Sequence, residues 1–142
     1  MDGLSVKRIE KTGRINNRLE LARSVARASD HPDQKHGAVL TKGGSILSTA
    51  CNMLDFSKHA GLHRPYTDYN NASLHAEIAA LRGRSKEATR GATMYVVRLG
   101  GHGKKELKMS APCVMCQHAM RAAGIKRVVY SIDENIVESM TL

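Results

Sequence analysis

The spacing of apolar and polar residues along the 142-residue chain predicts helices and short strands in alternation. Over residues 14–28, apolar side chains recur at helical intervals with arginines between them, which is typical of an amphipathic helix. Short apolar runs at 38–40 and 46–47 flank a pair of glycines, and this arrangement predicts a β-hairpin. The nearly continuous apolar run at 92–99 is typical of a strand that is covered on both faces.

Two further helices are predicted in the second half of the chain. Residues 73–82 carry apolar side chains on one face and are followed by Gly83, which is a common helix end. Residues 112–123 form the next predicted helix, and Gly124 follows its last turn. Pro112 suits the first helical position because an N–H group there would have no partner within the helix.

The end of the chain predicts the directions of two strands. The strand at 128–130 follows a helix, so it should lie parallel to the strand at 92–99. Only twelve residues follow Tyr130, which is too few for another helical crossover. A strand at 136–140 can therefore return only as an antiparallel hairpin around 133–135. Together these elements predict an α/β fold with a mixed sheet of about five strands flanked by helices.

The composition limits the partners and the compartment. A length of 142 residues predicts a single domain, 1–142, with 42% hydrophobic residues to build its core. The net charge of +9 favours an anionic partner, either nucleic acid or a phosphorylated small molecule, although a solvated basic surface explains it equally well. Three cysteines make no full disulfide framework, which favours a reducing compartment. Residues 1–11 are expected to be a short lead-in without a signal peptide, and no stretch is long enough to span a membrane, so we expect a cytoplasmic protein.

Two cysteines near the start of the last predicted helix carry the strongest chemical signal. Cys113 and Cys116 stand three positions apart, so they share one helix face, and the positive end of the helix dipole favours their thiolates. Two thiolates make half of a tetrahedral zinc site, and His75 can supply a third ligand. Three protein ligands leave the fourth position to water, which is typical of a catalytic zinc, and Glu77 is then free to carry protons.

The pattern His75-x-Glu77 followed by Pro112-Cys113-x-x-Cys116 resembles the zinc-dependent nucleobase deaminases of the cytidine and deoxycytidylate deaminase superfamily. The resemblance implies a three-layer α/β/α fold, with His75, Cys113 and Cys116 as ligands of Zn2+ and Glu77 as the proton shuttle. It also implies hydrolytic attack on C4 of cytosine or C6 of adenine, with ammonia as the leaving group. A closed zinc site or a redox Cys-x-x-Cys motif would not account for the His-x-Glu half of the pattern.

The same resemblance implies contacts with a substrate. Asn52 ends the second predicted strand, where the superfamily places an asparagine that hydrogen-bonds the sugar; an asparagine in a turn is the alternative. Ala76 and the backbone of Ser110 and Ala111 would face the base. Members of the superfamily assemble as dimers or tetramers, so the resemblance also implies a homo-oligomer.

Two other stretches are chemically ambiguous. Residues 53–72 are polar and irregular, and a stretch of this length is usually a functional loop, so we expect it to frame the site. His59 and His63 in this stretch could bind a second metal on a helix, but exposed loop histidines are the favoured interpretation. Lys104 and Lys105 could hold a phosphate or a nucleic-acid backbone, and a solvated loop explains them equally well.

Three functions are compatible with these residues. The first is deamination of a free cytosine nucleoside or nucleotide, because an antiparallel last hairpin resembles the free-nucleoside cytidine deaminases. In tRNA adenosine, polynucleotide cytidine and deoxycytidylate deaminases, the last strand instead returns in parallel after a helix. The second is a polynucleotide deaminase acting on tRNA adenosine or single-stranded DNA cytosine. The charge of +9 favours it, although Ala111 stands where tRNA adenosine deaminases usually have glutamate. The third is a binding module whose fold zinc stabilises.

Overall fold

The computed structural model describes residues 5–53 and 74–142, and these residues form one sheet with helices on both faces. The strands are β1 (Ser5–Ile9), β2 (Lys35–Lys42), β3 (Ser45–Cys51), β4 (Thr93–Gly100), β5 (Glu106–Lys108), β6 (Arg127–Ser131) and β7 (Val137–Thr141). The helices are α1 (Gly13–Ala26), α2 (Ala76–Leu81), α3 (Lys86–Thr89) and α4 (Val114–Ala122). No helix in these two described ranges is long and apolar enough to cross a membrane.

The sheet is mixed and has the strand order β1-β7-β6-β4-β2-β3, with β5 paired to β4 beside this path. β4 and β6 pair in parallel, as their connection through a helix predicts. β6 and β7 pair antiparallel, which confirms the predicted hairpin at the end of the chain. The described residues thus form seven strands where the sequence predicted about five, and the additional ones are β1 and the three-residue β5.

The first strand corrects the expectation that residues 1–11 are only a lead-in. β1 pairs antiparallel with β7, from Ser5 opposite Thr141 to Ile9 opposite Val137. Its burial pattern explains why no apolar pattern predicted it: four of its five residues are exposed, and even Val6 is 49% exposed. The strand is therefore held by backbone pairing at a sheet edge rather than by a buried apolar face.

The alternation of side chains along β4 explains its continuous apolar run. Met94 and Val96 belong to the core cluster that also contains α2 and α4. Tyr95, Val97 and Leu99 belong to the cluster on the opposite face, which contains α1. Because successive strand residues point to opposite faces, both faces of β4 are buried and the layers follow the predicted α/β/α order.

Helix α1 lies unusually close to β2 and ends at Ala26, two residues before its predicted end. The close approach depends on Gly37, since a Cβ atom there would lie 2.1 Å from the carbonyl oxygen of Ala22. Only glycine can occupy this position without displacing the helix. The loop between α1 and β2 is thereby fixed at one end of the sheet.

Helix α2 begins later than the predicted start at residue 73. Leu74 forms an antiparallel bridge with Met53, and the two N–H···O distances are 2.8 and 3.0 Å. His75 follows in extended backbone and stands just before the first helical residue, Ala76. The bridge ties the start of α2 to the end of the β2–β3 hairpin, and so to Asn52.

Helix α4 also begins later than its sequence suggests. Cys113, not Pro112, lies at the helix boundary, and its backbone is extended. Its sulfur accepts a hydrogen bond from the N–H group of Cys116 at 3.5 Å. The predicted first helical position of Pro112 is therefore wrong, because the Cys113 thiol caps the helix and the proline precedes it.

Candidate metal and active site

The starts of α2 and α4 bring three metal-binding side chains together. His75 Nδ1 lies 3.3 Å from Cys116 Sγ and 3.7 Å from Cys113 Sγ. These three ligand atoms lie within 4.8 Å of one another. A tetrahedral zinc with ordinary Zn–S and Zn–N bond lengths separates a sulfur and a nitrogen ligand by about 3.6 Å. The donor set and its spacing therefore fit zinc.

The two thiols differ in their ability to ionise. The hydrogen bond with the Cys116 thiol, followed by the contacts of His75 and of the Cys116 N–H group, lowers the pKa of Cys113 to about 4. The same contact with Cys113, together with burial, raises the pKa of Cys116. Without a bound cation, the thiols of Cys113 and Cys116 together therefore favour one negative charge over two. A bound cation would supply the positive charge that a second thiolate needs.

Glu77 lies in contact with these ligands. The residue is only 5% exposed, and its carboxyl group lies beside the Cys116 thiol. Burial raises the pKa of this carboxyl group. On a regular helix, residues 75 and 77 would not share a face. The extended backbone of His75 removes this obstacle, so both side chains line the same cavity.

A cavity of about 200 Å³ opens beside these groups. It is lined by His31, Gln34, His36, Asn52, His75, Ala76, Glu77, Ser110, Ala111 and Cys113. We call His75, Glu77 and Cys113, with Cys116 behind them, the metal wall. We call His31, Gln34, His36 and Asn52 the loop wall. Seven of the eight residues named from the sequence line this cavity, and Cys116, which is fully buried, lies against the others.

Asn52 fixes the loop wall through its side chain. Its Oδ1 accepts the N–H group of His36 at 2.9 Å, and its Nδ2 donates to the carbonyl oxygen of Gln34 at 2.8 Å. The side chain is 5% exposed. Among the described residues, only one of the two hydrogens of this amide group has a partner, so the second is available to a ligand there. The expected sugar contact of Asn52 stays a prediction, and the structure adds that the residue holds its own loop.

The hydroxyl group of Ser110 is already engaged in hydrogen bonds within the fold. This hydroxyl group lies 3.0 Å from the carbonyl oxygens of Val96 and Ser131 and accepts the N–H group of Ser131 at 3.0 Å. The N–H group of Ser110 donates to the Ser131 carbonyl at 2.9 Å. These bonds attach the segment before α4 to β4 and β6. The expected role of Ser110 and Ala111 through their backbone is compatible with this arrangement and stays a prediction.

Three cavity residues were not identified from the sequence as site residues: His31, Gln34 and His36. Burial, followed by the charges of Arg98 and His75, lowers the pKa of His36 to about 4, so its ring is neutral at pH 7. Their place in the cavity depends on the strand register, which the local sequence does not show. Gly37 pairs with Cys51, so the residues that precede Gly37 lie near Asn52.

Some sequence predictions concern residues outside this site. His59, His63 and nearly all of the expected loop at 53–72 lie outside the described residues. Lys104 ends a short 3₁₀ turn after β4, and Lys105 follows it with an exposed side chain. Neither lysine belongs to the cavity lining. Their expected contact with phosphate stays a prediction.

Comparison with known proteins agrees with this fold. Residues 14–132 match the family described as "Cytidine and deoxycytidylate deaminase zinc-binding region". The chain belongs to this family. It is 29% identical over 126 residues to a deoxycytidylate deaminase of Mycobacterium phage D29, covering 79% of this chain and 89% of the phage protein.

Two solved structures have a similar fold. The dCMP deaminase from the cyanophage S-TIM5 matches with a TM-score of 0.58 and 24% identity, covering 82% of this chain and 81% of the phage chain. The cytidine deaminase from Burkholderia pseudomallei matches with a TM-score of 0.58 and 22% identity, covering 89% of this chain and 91% of that one. At these identities the two structures support the fold alone.

Proposed function

We propose that this protein uses zinc to deaminate a cytosine nucleoside or nucleotide hydrolytically, yielding the uracil form and ammonia. The observation that carries the proposal is the metal wall: two thiols and an imidazole at zinc-ligand spacing, with a buried carboxyl group beside them at one cavity. The family to which the chain belongs supports the same reaction class. The relative from phage D29, named as a deoxycytidylate deaminase, supports a cytosine substrate.

The residues of the metal wall have two roles in this proposal. His75, Cys113 and Cys116 hold the zinc ion. Zinc bound there would act as a Lewis acid and lower the pKa of a water molecule towards about 7. Glu77 takes one proton from the attacking water and delivers it to the ring nitrogen. It then takes the second proton from the new hydroxyl group on the ring carbon and delivers it to the amine, which leaves as ammonia as the C–N bond breaks. Its position out of bulk water and its raised pKa suit a group that acts first as a base and then as an acid.

The remaining cavity residues would orient the substrate. The backbone of Ala76, Ser110 and Ala111 faces the base in our proposal, and the free amide hydrogen of Asn52 reaches the sugar. Substrate oxygens and nitrogens would then be recognised mainly by groups that other hydrogen bonds already hold in place. Such fixed groups lose little conformational freedom when a ligand binds.

Two observations support a free nucleoside or nucleotide rather than a polymer. The antiparallel β6–β7 hairpin resembles the free-nucleoside cytidine deaminases. The named phage relative instead supports a nucleotide with one phosphate. Both observations indicate a small substrate, and they differ on the phosphate.

A second candidate function is deamination of a polynucleotide, either tRNA adenosine or single-stranded DNA cytosine. The net charge of +9 favours it, since a basic protein surface attracts a phosphate backbone. Substrate binding that weakens steeply with added salt would distinguish this candidate from the first.

The test offers zinc-loaded protein a panel of substrates and scores base conversion by mass. The panel contains cytidine, deoxycytidine, deoxycytidylate, deoxycytidine triphosphate, single-stranded DNA and a tRNA anticodon stem. We expect turnover of a free nucleoside or nucleotide. Turnover of a polymer alone would refute the first function and support the second, and turnover of none would refute both.

A further inference from the structure

The imidazole ring of His31 lines the cavity, and the proposed chemistry does not use it. Its Nδ1 accepts two backbone N–H groups, from Asp33 at 3.1 Å and from Gln34 at 3.0 Å. A ring nitrogen that accepts N–H hydrogen bonds carries no proton of its own. The proton of the neutral ring is therefore on Nε2, which makes that atom a hydrogen-bond donor.

The backbone of His31 is also held in place. Its N–H group donates to the hydroxyl oxygen of Ser29 at 3.2 Å, and this hydroxyl group donates to the carbonyl oxygen of Asn52 at 3.0 Å. Ser29 is only 4% exposed, so this connection is shielded from solvent. His31 is thus fixed both in position and in tautomer, beside the residue that we expect to contact the sugar.

We propose that His31 is a substrate-positioning residue whose Nε2–H group donates to an oxygen on the sugar side of the substrate. The inference rests on the proposed function, because the reacting amine must lie at the metal wall and Asn52 then marks the sugar end. A sugar oxygen and a 5′-phosphate oxygen have the same acceptor chemistry. Both can receive a hydrogen bond from a neutral imidazole.

Two substitutions test the roles of the two ring nitrogens separately. His31→Asn keeps an acceptor near the Nδ1 position but has no donor at the Nε2 position. His31→Gln places an amide near the Nε2 position and loses the Nδ1 acceptor. We expect His31→Asn to lower kcat/KM about tenfold, mostly through KM and with an unchanged Tm, because one substrate hydrogen bond is lost. We expect His31→Gln to lower Tm and to retain more of the substrate affinity.

The kinetic test compares deoxycytidine with deoxycytidylate as substrates of the zinc-loaded protein. A loss with His31→Asn on both substrates supports a bond to a sugar oxygen, and a loss on deoxycytidylate alone supports a bond to the phosphate. The proposal would be overturned if His31→Asn had the same KM as the wild-type protein on both substrates while His31→Ala had a lowered Tm. His31 would then have a purely structural role.

A second readout is independent of activity. Long-range proton–nitrogen NMR of the wild-type protein should find the His31 ring protonated at Nε2, and protonation at Nδ1 would overturn the inference whatever the turnover. Absence of turnover in the wild-type protein would refute the proposed function, and this inference with it. Wild-type turnover with an unaffected His31→Asn variant would refute the inference alone.

Discussion

The two walls of the cavity are built in different ways. The metal wall presents side chains directly, from the starts of α2 and α4, and its residues form a sequence motif. The loop wall is held by hydrogen bonds between side chains and backbone, such as those of Asn52 to residues 34 and 36. Reactive groups are therefore identifiable from residue type and spacing, whereas the groups that shape the cavity depend on strand register.

The largest expected effect is the loss of metal from the metal wall. Cys113→Ala removes one of three ligands, so we expect zinc to be lost and ammonia release to cease. Elemental analysis of the purified variant measures the metal. Cys51→Ala is the matched control, because this cysteine lies on β3 outside the cavity lining and its loss should leave zinc in place. Stoichiometric zinc in Cys113→Ala would mean that the ligand set is wrong.

The next effect separates chemistry from metal binding within the same wall. Glu77→Gln keeps the shape of the side chain but removes the proton acceptor, so we expect zinc to stay bound while kcat falls by at least about 10²-fold. Ammonia release and zinc content are measured on the same sample. Glu87→Gln, on the exposed face of α3, should behave like the wild type. A fully active Glu77→Gln variant would remove the proposed mechanism.

A change in the loop wall should affect stability and affinity rather than the metal. Asn52→Ala removes two hydrogen bonds at a buried position, so we expect the free energy of unfolding to fall by about 1–3 kcal/mol. Denaturant titration measures this loss, and KM should rise while the zinc content stays constant. Asn17→Ala, at an exposed position of α1, is the control. Loss of zinc in Asn52→Ala would contradict the separation of the two walls.

The smallest effect concerns a carboxyl group far from both walls. Burial alone would raise the pKa of Glu134, but hydrogen bonds from the Leu107 N–H group and from Arg23, and the charge of Lys11, lower it overall. A lowered folded-state pKa means that the ionised group stabilises the protein above its unfolded pKa of about 4.3. This stabilisation is lost as the pH falls towards the folded-state pKa.

Glu134→Gln should therefore be less stable than the wild type at pH 7, and the difference should shrink as the pH falls below the unfolded-state pKa of about 4.3. Urea titrations across this range measure the difference at each pH. A difference that stays constant with pH would mean that the Glu134 carboxylate does not stabilise the fold. Because this side chain is 44% exposed, the effect should be smaller than that of Asn52→Ala.

Much of the fold could be predicted because its helices and central strands bury apolar faces. The long apolar run of β4 predicted a strand that is buried on both faces. The short segment after β6 predicted that β7 pairs antiparallel with β6, as it does. β1 could not be predicted, since four of its five residues are exposed and its partner lies at the other end of the chain. The starts of α2 and α4 were misplaced because His75 and Cys113 are extended residues at the helix boundaries.

The candidate site also contains residues that could be predicted from the sequence and residues that could not. His75, Glu77 and the two cysteines could be named from their spacing, since metal chemistry needs those residue types. His31 and His36 could not, because their place depends on the turn before β2 and on the pairing of Gly37 with Cys51. Neither dependence leaves a pattern in the local sequence.

The zinc-dependent deamination proposed above is tested most directly by measuring ammonia release from cytidine, deoxycytidine and deoxycytidylate before and after the metal is removed with a chelator. We predict that zinc-loaded protein releases ammonia from at least one of them, that the chelated protein does not, and that added zinc restores the activity. Unchanged turnover in metal-free protein, or no turnover of any of the three substrates with stoichiometric zinc bound, would contradict the proposed function.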